Sequence, residues 1–475
     1  MKTIAYLHTI LISLLISIAL IGCSESNEPT NTIKPEDEST TIPDVPTYTI
    51  IYYASGGGAA DVAAGRGLDP AIEKSIDYFL GKDKRELDKN VKFTACIKWS
   101  NGYNGKYSQG NEGNTYRFFI DKDHLKGSEF ELVGDNNYPI NDPNNIAEFI
   151  QWSKQVAPSE EYIIVFSGHG NGWHPEVGIN DTIDHTRGIM RDTDTGRYIS
   201  CEELNEGLRL ADTHYKMIFL GSCLMNTIEY NTVLAQYSDY ILASSHISIM
   251  FTTELNYLAH MLERELKDGT DESFIEGIYN YLNQDINTTI SNTNYTYDYI
   301  DFILTDCSKV DAIVEATKRF TDTIIALYDE EESIGEAAFK NKYGATISEM
   351  ELAMSESYYF LGQFLNDDEV NESEYLRQSF TYDLGDIALK ASTALNSPEL
   401  KECYKAIHET TMASQAVSYA TVLVEKESLH HSVVLTNAEK WEERNYDDSG
   451  YENLLFNQRT GWSRLLKRNN IPLKF

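Results

Sequence analysis

The chain has 475 residues, enough for two to four domains, and its 41% hydrophobic and 24% charged content is that of a globular protein. Lys and Arg number 39 against 74 Asp and Glu, and a net charge of −35 repels a phosphate backbone and argues against nucleic acid as a partner. Six cysteines over this length do not make a disulfide scaffold.

The N-terminus reads as an address. Lys2 precedes an apolar run from Ile10 to Ile21, shorter than the roughly 20 residues that span a bilayer, and the run ends in Leu20-Ile21-Gly22-Cys23. That ending resembles the lipobox of bacterial lipoproteins, whose cysteine is acylated and becomes the first residue of the mature protein. The resemblance implies a lipoprotein signal peptide over 1–22 and a lipidated Cys23. Residues 23–47 carry four of the eleven prolines and almost no apolar side chains, the composition of a disordered tether. Two or more acyl chains hold a protein firmly to a membrane. The expected place is therefore the bacterial cell envelope, at the outer membrane or cell surface. Five cysteines follow (Cys96, Cys201, Cys223, Cys307 and Cys403), an odd number that leaves at least one thiol without an internal disulfide.

From Tyr48 onward, strands and helices alternate. YTIIYYA (48–54) reads as a buried strand running into Gly56-Gly57-Gly58, a turn that lacks the Lys-Ser/Thr of a phosphate loop. Asp69-Pro70 and Asp142-Pro143 each start a helix. Strands are predicted over 91–99, 116–121, 161–167, 216–220 and 240–245. Ser200 and Glu203 fit a capping box opening a helix to about Ala211. Continuous apolar strands followed by helices imply a mostly parallel sheet covered on both faces, an α/β fold. Reactive groups in such sheets sit beyond the carboxyl ends of the strands.

Two strand ends carry chemistry. One runs Ser167-Gly168-His169-Gly170-Asn171-Gly172-Trp173, the other Gly221-Ser222-Cys223-Leu224-Met225. Cys223 is expected to open a helix, whose positive end favours the thiolate. A thiolate is a strong nucleophile, and an imidazole is the natural proton donor to a leaving amine. The amides of Gly170 and Cys223 are candidates for holding an oxyanion.

These two segments, with FLGSCLMNTIEYNTVLAQYSDYILASS (219–245), resemble the clostripain family of cysteine peptidases, relatives of gingipains, legumain and caspases. The likeness extends through TRGIMRDTDTGRYISCEEL (186–204), DFILTDCSKV (301–310) and YENLLFNQRTGWSRLL (451–466). It implies a caspase-like α/β/α sandwich, His169 as catalytic histidine and Cys223 as nucleophile, with a polypeptide substrate. Gly221 and Ser222 would line the substrate pocket. The family usually has Asp where this chain has Gly221, which puts a preference for Arg or Lys in doubt unless another acid, such as Glu254, serves. The Gly-Trp segment usual after the last strand is also missing.

No cofactor is expected. Some relatives use calcium, and Asp192, Asp194, Ser200 and Glu203 have the spacing of calcium ligands, but Arg197 stands where the loop needs Gly. His169 and His174 lack the frame of a zinc site. The expected organisation is a catalytic core over 48–260 and a largely helical C-terminal region over 261–475, with strand-like runs within 415–436 and His430-His431 at a surface. The reading is a lipid-anchored cysteine endopeptidase. Its rival is a catalytically idle surface-binding lipoprotein on the same scaffold.

Overall fold

The computed structural model describes residues 47–65, 67–79, 91–110, 112–120, 130–170, 172–173, 188–192, 194–195, 197–246, 258–262, 266–292, 301–358, 381–420, 431–435 and 450–472. The signal peptide, Cys23, the tether, His174, Glu254 and His430 lie outside the described residues.

In chain order the strands are β1 (Tyr48–Ser55), β2 (Val91–Lys98), β3 (Thr115–Ile120), β4 (Glu131–Gly134), β5 (Glu161–Ser167), β6 (Ile189–Asp192), β7 (Arg197–Ile199), β8 (Tyr215–Gly221), β9 (Ser238–Ala243), β10 (Asp301–Asp306), β11 (Thr381–Asp383), β12 (Gln415–Ala420) and β13 (Ser432–Val434). Nine of them form one sheet in the order β12-β10-β9-β8-β5-β1-β2-β3-β4. The five central strands, β9 to β2, are parallel, and two antiparallel strands close each edge.

The apolar runs are continuous because both faces are covered. Along β5, Ile163 and Val165 enter one core while Ile164 and Phe166 enter the other, all at 0% exposure. Met217 and Phe219 divide in the same way from Ile218 and Leu220 on β8. Helices α1 (Ala59–Ala63), α2 (Asp69–Phe79), α3 (Pro143–Val156), α4 (Cys201–Ala211), α5 (Ile228–Leu234), α6 (Asp271–Asn292) and α7 (Val310–Ile334) follow in chain order. Beyond them, α8 (Leu384–Ala394) and α9 (Pro398–Ser414) carry the C-terminal half. Side chains of α2 and α6 pack on one face, and those of α3, α4, α5, α7, α8 and α9 on the other. The result is an α/β/α sandwich. The Asp142-Pro143 start is real: Asp142 caps α3 by accepting the Asn144 amide at 2.8 Å. The Ser200–Glu203 capping box opens α4.

The largely helical C-terminal half also supplies β10 and β12 to the central sheet. Two expectations need revision. His431 is no surface feature; it is fully buried, with Asn231 Nδ2 3.0 Å from its Nδ1. Cys223 does not open a helix. It sits in a turn, and α5 begins only at Ile228 with Thr227 as cap. A helix dipole fades within its first turn, so it lends little to the thiol.

Candidate active site

The register of β5 and β8 decides which residues meet. Ser167 pairs with Gly221 in parallel, so His169 and Cys223 each lie two residues past matched strand ends. Neighbouring strands run about 4.8 Å apart, which places both residues at one crevice. The next residue confirms the closeness: a Cβ on Gly170 would stand 2.4 Å from the Cys223 carbonyl oxygen and 3.1 Å from its amide nitrogen. Only glycine lets the two loops approach this far. Ser222 Oγ donates to the Gly168 carbonyl at 2.8 Å and ties the loops together from below. Gly221 and Ser222 are buried, whereas His169, Gly170 and Cys223 are partly exposed. The His169 carbonyl also accepts the Arg191 amide of β6 at 3.3 Å.

The turn that carries Cys223 is braced by later parts of the chain. Leu224 has a positive φ of 60°, a conformation that costs a side-chain-bearing residue roughly 1–2 kcal/mol. Its amide donates to the His246 carbonyl at 2.8 Å, and the Asn226 amide donates to the Ser244 carbonyl. Residues 244–246 are held in turn by Asp301, fully buried at the start of β10. Asp301 accepts from Ser244 Oγ at 2.7 Å and from the Ser245 and His246 amides at 3.1 Å, and lies 3.0 Å from His246 Nδ1. Burial pushes this carboxyl up, but the His246 charge and the three donors outweigh burial and hold it below the usual range. His246 Nε2 reaches Tyr358 Oη at 2.8 Å.

A second brace runs from the C-terminal half. Ser432 donates to the Asn226 carbonyl from its amide and its hydroxyl. Glu229 on α5 accepts the Val434 amide and the Tyr451 hydroxyl, and burial pushes its carboxyl up to about 7. Asp301, Glu229 and Ser432 did not stand out in the sequence, because each acts on a partner 55 or more residues away.

The residues weighed for calcium have other work. Asp192 pairs with Lys98 at 2.5 Å, and Asp194 accepts the amides of Ala59 and Asn101. Ser200 and Glu203 cap α4, and Glu203 also pairs with Arg197. Among the described residues, no group of three or more His, Cys, Asp or Glu could hold a metal ion.

The five described cysteines form no disulfide among themselves. Burial pushes the thiols of Cys96, Cys201 and Cys403 up, and that of Cys307 to about 12. Only Cys223 escapes full burial. Brief iodoacetamide treatment of the native protein should therefore modify Cys223 among these five, as read by peptide mapping. Equal labelling of Cys201 or Cys307 would show the site to be wrongly chosen.

A cysteine and a histidine two residues past paired parallel strand ends suit nucleophilic catalysis at an acyl carbon. Comparison with known proteins bears on that chemistry. The sequence profile of the clostripain family matches residues 119–468. No curated protein sequence matches the chain. Among solved structures, a secreted C11 cysteine protease from Bacteroides thetaiotaomicron ("iotapain") is similar at 13% identity and a TM-score of 0.53, over 88% of this chain and 100% of that one. An inactive zymogen C11 protease from Parabacteroides distasonis is similar at 12% identity and a TM-score of 0.55, over 88% and 99%. A secreted C11 cysteine protease from Bacteroides thetaiotaomicron in complex with an irreversible peptide inhibitor is similar at 15% identity and a TM-score of 0.53, over 88% and 99%.

Proposed function

The chain belongs to the clostripain family of cysteine peptidases, and on that premise we propose that it is a lipid-anchored endopeptidase working through a Cys223–His169 dyad. The observation that carries the dyad is the matched offset of the two residues past paired parallel strands, with Gly170 packed against the Cys223 backbone. The Cys223 thiolate adds to the peptide carbonyl carbon and the carbonyl electron pair moves onto oxygen, held by the amides of Gly170 and Cys223. Collapse of that intermediate breaks the C–N bond, and the departing amine takes the His169 proton. Water then attacks the thioester, returns a proton to His169 and releases the thiolate.

The pocket is predicted not to demand a basic side chain. Gly221 closes β8 without charge, and the buried acid Asp301 is already committed to His246 and the 244–246 backbone. A peptide-library digest should show cleavage that does not require Arg or Lys before the cut. Strict cleavage after Arg or Lys would overturn this and direct attention to Glu254.

The anchor rests on Cys23 and its preceding apolar run. Among the described residues no helix is long and apolar enough to cross a membrane. Metabolic labelling with a fatty-acid analogue should mark the wild-type protein and not Cys23→Ala. Equal marking of both would remove the lipid from the proposal.

A further inference from the structure

The sheet reverses its winding between β1 and β5, since β2 follows β1 on one side and β5 lies on the other. Ligand chemistry gathers at such a switch point. Here it brings the turn after β1 against His169. That turn is Gly56-Gly57-Gly58, with φ of 111° at Gly57 and 130° at Gly58, values that suit glycine. The two glycines fold the chain back so that the Asp61 amide donates to the Gly58 carbonyl and Asp61 comes beneath Gly57. A Cβ built on Gly57 would lie 2.7 Å from Asp61 Oδ2 and 3.2 Å from His169 Cδ2. Carboxylate and imidazole thus border the same small space, kept clear by the missing side chain. Asp61 is buried, at 1% exposure.

The other charged groups on this rim have defined tasks. Asp69 accepts the Ser100 amide, Asp192 pairs with Lys98, and Asp194 accepts two amides. Arg191 lends its backbone amide to the His169 carbonyl. We propose that Asp61 is a positioning residue for His169: its carboxylate orients the imidazole across Gly57 and favours the protonated ring that donates to the leaving amine. The proposal rests on the dyad reading of His169, and the test keeps the two apart.

The test follows the His169 imidazole by NMR titration in the full-length chain carrying labelled histidine, with the signal assigned by His169→Gln. Asp61→Asn should lower the His169 titration midpoint by about one unit. It should also lower kcat on the order of 10- to 100-fold while KM stays within about twofold. Gly57→Ala, which places a methyl between the two groups, should shift the midpoint in the same direction, and it carries the test if the Asn variant does not fold. A wild type that cleaves peptides, with midpoint and kcat unchanged in the folded variants, overturns the role of Asp61. A wild type that cleaves no peptide while the midpoint still shifts removes the hydrolytic reading and leaves the Asp61–His169 coupling standing.

Discussion

A Cys223→Ala chain should fold as the wild type does and hydrolyse peptides on the order of 10⁴–10⁶-fold more slowly. On the proposed mechanism the loss is large because the sulfur supplies the covalent intermediate itself, and neither His169 nor the amides of Gly170 and Cys223 can replace it. The fold should survive because Cys223 is partly exposed and the turn is held by backbone bonds, Leu224 to His246 and Asn226 to Ser244, that an alanine leaves intact. Turnover of a peptide substrate and the thermal midpoint, measured on the same preparation, check both halves. A variant that still cleaves at the wild-type rate would mean that another group is the nucleophile.

Asp301→Asn is expected to act on stability instead, by roughly 3–5 kcal/mol. Asp301 stands under the turn that positions Cys223, fully buried and facing the His246 imidazole at 3.0 Å. An amide cannot accept at both positions as the carboxylate does, and its NH2 face meets the Ser244, Ser245 and His246 donors. The effect should depend on pH with a definite sign. The Asp301 carboxyl is held below its unfolded value of about 3.9, so its stabilisation is complete above that pH and is lost as pH falls through the folded value. The gap between wild type and variant, from urea unfolding at several pH values, should be widest near neutrality and narrow below about pH 4. Glu229, raised to about 7, acts with the opposite sign: its contribution is full below the unfolded value and fades as pH rises. It is present in both chains and cancels. A gap that stays constant down to pH 3 would show that the carboxylate charge is not what braces the turn.

The readable part of this protein was the part written locally. The runs Ile163-Ile164-Val165-Phe166 and Met217-Ile218-Phe219-Leu220 announce strands buried on both faces, and each is followed within three residues by a reactive side chain. A parallel sheet then converts equal offsets along the chain into nearness in space, which is why His169 and Cys223 could be paired beforehand. α5 starts five residues beyond the expected position because Leu224, in its left-handed conformation, turns the chain aside before it can coil. Asp301, His431 and Asp61 were invisible for a different reason. Their side chains serve partners whose nearness is set by sheet order and loop return, and no spacing rule links Asp301 to Ser245 or His431 to Asn231. His431 looked like a surface residue because a polar pair in a short run has no local sign of the cavity that receives it.

Synthesis runs from the N-terminus, and that order has a consequence for the braces behind Cys223. Asp301 emerges 78 residues after Cys223 by the numbering, and Ser432 and Tyr451 come later still. Until those residues arrive, the Asn226 carbonyl and the Glu229 carboxyl lack the donors they meet in the finished protein. A chain that stops short of residue 301 can present both strand ends while the 244–246 segment behind the Cys223 turn still lacks Asp301. The supports of the Cys223 turn are thereby complete only once residue 451 has been made.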